Sequence, residues 1–260
     1  MKLLTEVETE KSDFQIEPQT RMLFIGSCFA DSIGQCFQKN AFCVTVNPEG
    51  VMYNPASIFQ CIQNCKETNF DLAVITLGTN HIYRLKETGE IVANCRKRPA
   101  SLFFEEELTV DECVGYLQQT LDLLNTKVIV TVSPIRYAKY GFHGSRLSKA
   151  TLLLAAERIA RNNADCTYFP AYEIMNDELR DYRFHAPDMI HPSAQAIEYI
   201  WERFGDTFFS TTTRQYLKEW HPIREALDHH PFSPTSEEYL KFKTQTEIKR
   251  QEFLKKWHTA

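Results

Sequence analysis

The chain has no apolar run near the ~20 residues that a membrane-spanning helix needs, so no transmembrane segment and no membrane partner are expected. It has no excess of positive charge. With 29 Lys and Arg against 34 Asp and Glu, the net charge is −5, which argues against nucleic acid as a main partner. No export signal is expected either. The opening run Met1-Lys2-Leu3-Leu4 is short, and Glu6, Glu8 and Glu10 follow at once. A cytoplasmic location is therefore expected, with the eight cysteines reduced. None of them stands in a Cys-x-x-Cys pair. Cys61 and Cys65 lie four apart on an expected helix with no His or Cys cluster nearby, so they read as small buried apolar residues and no metal site is expected. There is no internal repeat, no low-complexity segment and no signal for an oligomeric state.

What is present is a core-forming composition, 43% hydrophobic, arranged as alternating strands and helices. Residues 22–25 and 42–46 read as strands, as do 71–77, 128–132 and 166–169. Helices are expected from Asn54-Pro55 to about residue 65, and at 109–125, 147–162 and 172–179, with a further one capped by Ser193. Residues 140–145, with two glycines, read as a loop. Residues 81–108 break the alternation. A hairpin around 86–90 and the stretch Asn94 to Pro99 suggest an insertion over the upper edge of the sheet. Residues 1–20 read as a surface lead-in. Five strands alternating with helices specify a parallel sheet covered on both faces, and in such sheets the working residues gather at the carboxyl ends of the strands.

The organising stretch is 22–38. A buried strand ends at Gly26, and from Phe29 the apolar spacing becomes that of a helix, with Phe29, Ile33, Cys36 and Phe37 on one face. Ser27 and Cys28, both nucleophile types, sit at the turn between them, where unpaired N–H groups favour a developing anion and a thiolate. Taken alone, such a pair also reads as a plain helix cap. The second element of interest is Asp188-Met189-Ile190-His191-Pro192. Its three-residue spacing lets Asp188 hold one ring nitrogen of His191 and leaves the other to take a proton from a nucleophile. Asn80, after the third strand, offers an amide. With backbone N–H groups near Cys28 and Gly50 it makes a candidate oxyanion hole. Arg96, Lys97 and Arg136 are candidates for recognising an acidic substrate group, with solvated surface charge as the plainer alternative.

Gly26-Ser27-Cys28-Phe29-Ala30 resembles the signature of the GSCFA family, within the SGNH/GDSL hydrolase superfamily. The similarity runs from about Phe24 to Phe208. Its blocks include Asn47-Pro48, Tyr53-Asn54-Pro55, Thr76 to Thr79, Ser133-Pro134, Ser148-Lys149, Asp181 to Phe184 and Asp188 to Pro192. The resemblance implies a three-layer α/β/α, flavodoxin-like domain with a five-stranded parallel sheet. It also implies an esterase, deacylase or acyltransferase that uses no cofactor and acts on a small-molecule ester with a small acyl group. Asp188, His191, Asn80 and Gly50 fall where the superfamily places its Asp-x-x-His, asparagine and glycine elements. One departure stands out. The superfamily's Gly-Asp-Ser block aligns without a gap to Gly26-Ser27-Cys28, which makes Cys28 the nucleophile, and a one-residue shift makes it Ser27. The competing class is a non-catalytic module that keeps the pocket to bind a small molecule or carbohydrate. Residues 1–210 are expected to form the hydrolase-like domain. Residues 211–260, rich in aromatic and branched side chains, are expected to form a helical extension packed on that domain or on a partner subunit.

Overall fold

The computed structural model describes residues 5–9, 12–65, 69–95 and 98–258. In chain order the elements are β1 (Met22–Gly26), α1 (Cys28–Lys39), β2 (Val44–Val46), α2 (Pro55–Asn64), β3 (Leu72–Leu77), β4 (His81–Leu85), β5 (Phe103–Glu107) and α3 (Val110–Leu124). There follow β6 (Lys127–Val132), α4 (Gly141–Asn162), β7 (Cys166–Tyr168), α5 (Ala171–Glu173), α6 (Ala194–Phe208), α7 (Thr211–Leu227) and α8 (Glu237–His258).

Five parallel strands form the central sheet in the order β2-β1-β3-β6-β7. The register pairs Phe24 with Val74 and Gly26 with Thr76, then Thr76 with Thr131, so the ends of β1, β3 and β6 lie level. Both faces of the sheet are covered. On one, Met22, Phe24 and Val74 meet Phe29, Ile33 and Phe37 of α1 and Ile200, Phe204 and Phe208 of α6. On the other, Leu23, Ile25, Ile75 and Val130 meet α2, α3 and α4 through Ile58, Leu117 and Leu152. Double coverage explains why these strands read as continuous apolar runs. The arrangement is the expected three-layer α/β/α fold with a helical C-terminal extension.

Four stretches differ from the sequence expectation. The insertion contains a second, antiparallel sheet: β4 pairs with β5, His81 opposite Glu107 and Leu85 opposite Phe103. Within it the expected hairpin around 86–90 is present, with an antiparallel Arg84–Ile91 bridge flanked by the Leu85 N–H donating to Glu90 O and the Val92 N–H donating to Tyr83 O, both at 2.9 Å. The repeated glutamates Glu105, Glu106 and Glu107 hide β5, because this strand is exposed beyond Phe103. Helix α4 begins at Gly141, six residues before the expected start, and so absorbs the glycine-containing stretch. Gly141 takes φ +65° at its entry, and Ser145 is buried there with its hydroxyl accepting from the Tyr137 N–H at 3.1 Å. After α5 the chain continues as a π-helical turn, Ile174–Glu178, where an ordinary helix was expected. Within the expected surface lead-in, Ile16 is buried and forms a parallel bridge with Phe209.

Candidate active site

The β1–α1 turn depends on glycine. Gly26 has φ +132°, and a Cβ there would stand 2.1 Å from the carbonyl oxygen of Thr76. Its N–H donates to Asn47 Oδ1 at 2.9 Å, and the Asn47 amide donates in turn to Asp31 Oδ1 at 2.6 Å. Ser27 is the N-cap of α1. It is fully buried, its hydroxyl lies 2.9 Å from Thr76 Oγ1, and it accepts from the Phe29 N–H at 3.2 Å. Cys28, the first residue of the helix, is partly exposed. Its Sγ lies 3.8 Å from the hydroxyl of Tyr53. As first helical residue, Cys28 has an N–H with no intrahelical acceptor, at the positive end of the helix dipole. Burial, with Cys28 as the next contributor, pushes the Tyr53 phenol up to about 12, so it stays a hydroxyl near neutral pH.

Asp188 and His191 form a tight turn. Asp188 Oδ1 accepts from the N–H groups of Ile190 at 2.9 Å and of His191 at 3.0 Å. Asp188 Oδ2 lies 2.6 Å from His191 Nδ1. The backbone N–H groups of His191 and Ile190, then the imidazole, hold the Asp188 carboxyl down at about 2. Between them Met189 takes φ +58°, a left-handed conformation unfavourable for a residue with a Cβ. Arg136, just beyond β6, fixes the turn: its N–H donates to Ile190 O at 3.0 Å and its Nη1 to Met189 O at 3.2 Å. Pro192 lines one groove with Ser32 and Cys36 of α1, and Ser32 Oγ donates to Cys28 O at 3.1 Å. The loop carrying His191 therefore abuts the opening turns of the helix that begins with Cys28.

The other sequence candidates have their own surroundings. Asn80 is buried, and its Nδ2 donates to Leu108 O at 2.8 Å. Asn80 Oδ1 is buried with no hydrogen-bond partner among the described residues. Gly50 is exposed at φ +89°, and its N–H donates to Asn47 O at 2.8 Å. Arg136 also stacks on Phe142, 4.3 Å from the ring centroid. Arg96 and Lys97 lie outside the described residues. Among the described residues there is no group of three or more His, Cys, Asp or Glu arranged to hold a metal.

Three residues here carry no strong sequence signal. Lys149 is buried, and its Nζ donates to Gly78 O at 2.6 Å and Ser133 O at 2.7 Å, which ties the ends of β3 and β6 together. Burial pushes it down to about 7. Tyr137 has a buried hydroxyl with no partner among the described residues. His185 pairs with Pro192 across the loop, and burial, then Arg136, lowers its pKa. Tyr53 and Lys149 stand inside sequence blocks already noted, but a tyrosine or lysine there predicts neither its burial nor its partners.

A model described as "GSCFA family" matches residues 21–71 and 63–204, and one described as "GSCFA domain protein, C-terminal domain" matches 220–259. Among solved structures, a catalytic mutant of Axe2, an acetylxylan esterase from Geobacillus stearothermophilus, superposes with a TM-score of 0.52 at 13% identity, covering 76% of this chain and 98% of that one. LAE5, an alpha/beta hydrolase enzyme from the metagenome of Lake Arreo, Spain, superposes with a TM-score of 0.52 at 11% identity, covering 74% and 96%. These likenesses show a shared fold. No curated protein sequence matches the chain.

Proposed function

Because this chain belongs to the GSCFA family and shares its fold with esterases, we propose that it hydrolyses esters through Cys28, His191 and Asp188. The observation that carries this reading is the contrast between two neighbours. Ser27 is fully buried with its hydroxyl engaged by Thr76 and Phe29, whereas Cys28 is partly exposed at the helix start. Asp188, kept ionised, holds Nδ1 of His191 and leaves Nε2 as the base.

In the first half-reaction Nε2 takes the thiol proton, and the Cys28 sulfur bonds to the ester carbonyl carbon. The carbonyl electrons move to oxygen, where the Cys28 N–H donates to the oxyanion. Collapse of this intermediate breaks the carbon–oxygen bond to the alcohol, which leaves with the proton from His191. In the second half, water gives a proton to Nε2 as its oxygen attacks the thioester carbon; the carbon–sulfur bond then breaks, the acid leaves, and His191 returns the proton to the Cys28 sulfur. An alcohol in place of water makes the same site an acyltransferase. The substrate we assign is a small-molecule ester with a small acyl group, met in the cytoplasm, with no nucleic-acid or membrane partner. Turnover of short p-nitrophenyl esters tests the assignment. His191→Ala is expected to lose at least ~10²-fold of turnover with the fold intact, and equal turnover in variant and wild type would sink it.

A second reading is a binding module that has lost catalysis. It is favoured by the Asn80 amide and the Gly50 N–H, the two expected oxyanion donors, which are engaged by Leu108 and Asn47.

A further inference from the structure

A cavity of about 400 Å³ opens next to Tyr53, a size in the range of small-molecule sites, and the steps above do not use it. Tyr53 lines it and carries its hydroxyl to within 3.8 Å of Cys28 Sγ. Its walls are flat. The ring of Tyr137 stands edge-on to Tyr53 at 5.8 Å. Tyr140 lies 6.4 Å from Tyr137, and His81 stacks on Tyr140 at 3.7 Å with only 4° between the planes. Val92 and Ala93, from the segment between β4 and β5, close another side.

The polar atoms around this cavity are largely satisfied by one another. The Glu105 carboxylate accepts from the hydroxyls of Tyr83 and Tyr140 and from Lys139 Nζ at 2.9 and 3.0 Å. One anion thus balances one cation and engages two phenols. Burial lowers the pKa of His81 and favours its neutral form. The ring nitrogens of His81 stand 3.7 Å from Glu105 and 3.9 Å from Glu107, and the hydroxyl of Tyr137 is buried and unpartnered among the described residues. Burial pushes its pKa up, so it remains an O–H donor. That hydroxyl faces the nucleophile turn, because a Cβ placed on Gly78 would stand 3.0 Å from it and 3.3 Å from Ser27 Cβ.

A charged or polyhydroxylated group entering this space would exchange water for walls whose polar atoms are already engaged. An aromatic ring gains offset and edge contacts with rings on several sides. We infer that the cavity holds an aromatic ring of the ester substrate, with the Tyr137 hydroxyl donating to an oxygen beside that ring. This assignment rests on the ester-hydrolase reading and narrows its substrate to esters that carry an aromatic ring. The ring belongs either to the acyl or to the alcohol half, and both present the same chemistry to the walls.

The test separates binding from turnover. Full-length Cys28→Ala protein, shown folded by circular dichroism, is titrated calorimetrically with phenylacetamide, cyclohexylacetamide, acetamide and xylose. Phenylacetamide is expected to bind at least tenfold more tightly than the other three, and Ala93→Phe, which fills the cavity, to weaken it at least tenfold. Should Ala93→Phe not fold, Tyr137→Phe keeps the ring and is expected to weaken phenylacetamide about three- to tenfold. Equal or tighter binding of cyclohexylacetamide or xylose, or no saturable phenylacetamide binding, overturns the inference. With wild-type protein, methyl phenylacetate against methyl acetate reports a ring in the acyl half. Phenyl acetate against ethyl acetate, each divided by its hydroxide-catalysed rate, reports a ring in the alcohol half. Aryl binding without turnover of any ester supports the cavity assignment and removes the hydrolase reading. Ester turnover without aryl binding does the reverse.

Discussion

Asp188 grips His191 twice, with Oδ1 on its backbone N–H at 3.0 Å and Oδ2 on its Nδ1 at 2.6 Å. The first bond fixes the turn and the second fixes the ring, so the spare nitrogen has a defined direction. Asp188→Asn is expected to lower kcat for a p-nitrophenyl ester by about 10²-fold or more, with a smaller change in KM. The same grip has a pH signature. The Asp188 carboxyl sits near 2 against the usual 3.8, so the folded state favours the ionised form. Its contribution to stability is present above about pH 4 and is lost as the pH falls toward 2. Denaturant midpoints at pH 7, 4 and 2 should show wild type and Asp188→Asn converging at the acid end. A separation that stays constant over that range would contradict the expectation.

Ser27 and Cys28 are adjacent in sequence and differ in every physical respect that matters to a nucleophile. Ser27→Ala should remove a helix cap and cost about 0.5–2 kcal/mol of stability while leaving most of the turnover. Cys28→Ala should abolish turnover with the melting temperature nearly unchanged, and iodoacetamide should inactivate wild type in step with labelling of that one residue. Full activity in Cys28→Ala would move the nucleophile elsewhere.

The sheet was legible because its strands are mainly apolar and all but β3 are followed directly by a helical period. Residues 72–77 and 127–132 are buried almost throughout, so sequence and structure carry the same signal. Strand β5 was not legible, because an exposed edge strand of Phe-Phe-Glu-Glu-Glu has no buried face to impose alternation. The π-helical turn after α5 was hidden for a different reason. The segment 171–179 has a helical composition, which does not distinguish a π turn from an α turn, and Ile174, Met175 and Glu178 are buried there. At the candidate site, the three-residue spacing offered the Asp188–His191 couple, but the turn that makes it is not helical, because Met189 stands at φ +58° and Asp188 accepts from the N–H groups of Ile190 and His191. The roles of Tyr137 and Lys149 do not follow from spacing, because burial and the want of a partner are properties of the assembled fold.

The C-terminal helices make contacts whose loss should be felt far from them. The Tyr216 hydroxyl donates to Asn40 O and Ala41 O, and Trp220 Nε1 donates to Lys39 O at 2.8 Å. The indole bond serves the last carbonyl of α1, which has no intrahelical partner, and the one phenol proton is shared between the two carbonyls that follow the helix. Trp220 also packs on Phe253 at 5.0 Å. Trp220→Ala is expected to cost about 3–5 kcal/mol, read as a shift of the denaturation midpoint. Limited proteolysis of native protein should then remove the tail of the variant faster than that of wild type. Equal cleavage rates would show that the helices do not depend on this anchor.

Lys149 supplies the last prediction. Its Nζ is buried with two acceptors, Gly78 O and Ser133 O. A neutral amine has two N–H groups and matches them, whereas an ammonium has a third, which meets no carbonyl and only the face of the Tyr137 ring, with Nζ 5.6 Å from its centroid. Burial accordingly pushes its pKa down to about 7 from the usual 10.5. The sign follows from proton counting. Between pH 7 and 10.5 the unfolded chain binds a proton here that the folded chain does not, so raising the pH through this window stabilises the fold; below pH 7 the group adds no further slope. Lys149→Met keeps the length and apolar stem but leaves both carbonyls without a donor, at a cost of about 2 kcal/mol or more. That cost is offset near pH 7, where wild type still carries the penalty of desolvating its amine. The stability difference, wild type minus variant, should therefore grow as pH rises, by up to about 1.4 kcal/mol per pH unit. Urea denaturation of both proteins at pH 7, 8, 9 and 10 measures it directly, since titrations elsewhere in the chain cancel in the difference. A difference that is flat across the four pH values would mean that Lys149 stays charged in the fold, with a third partner for its ammonium.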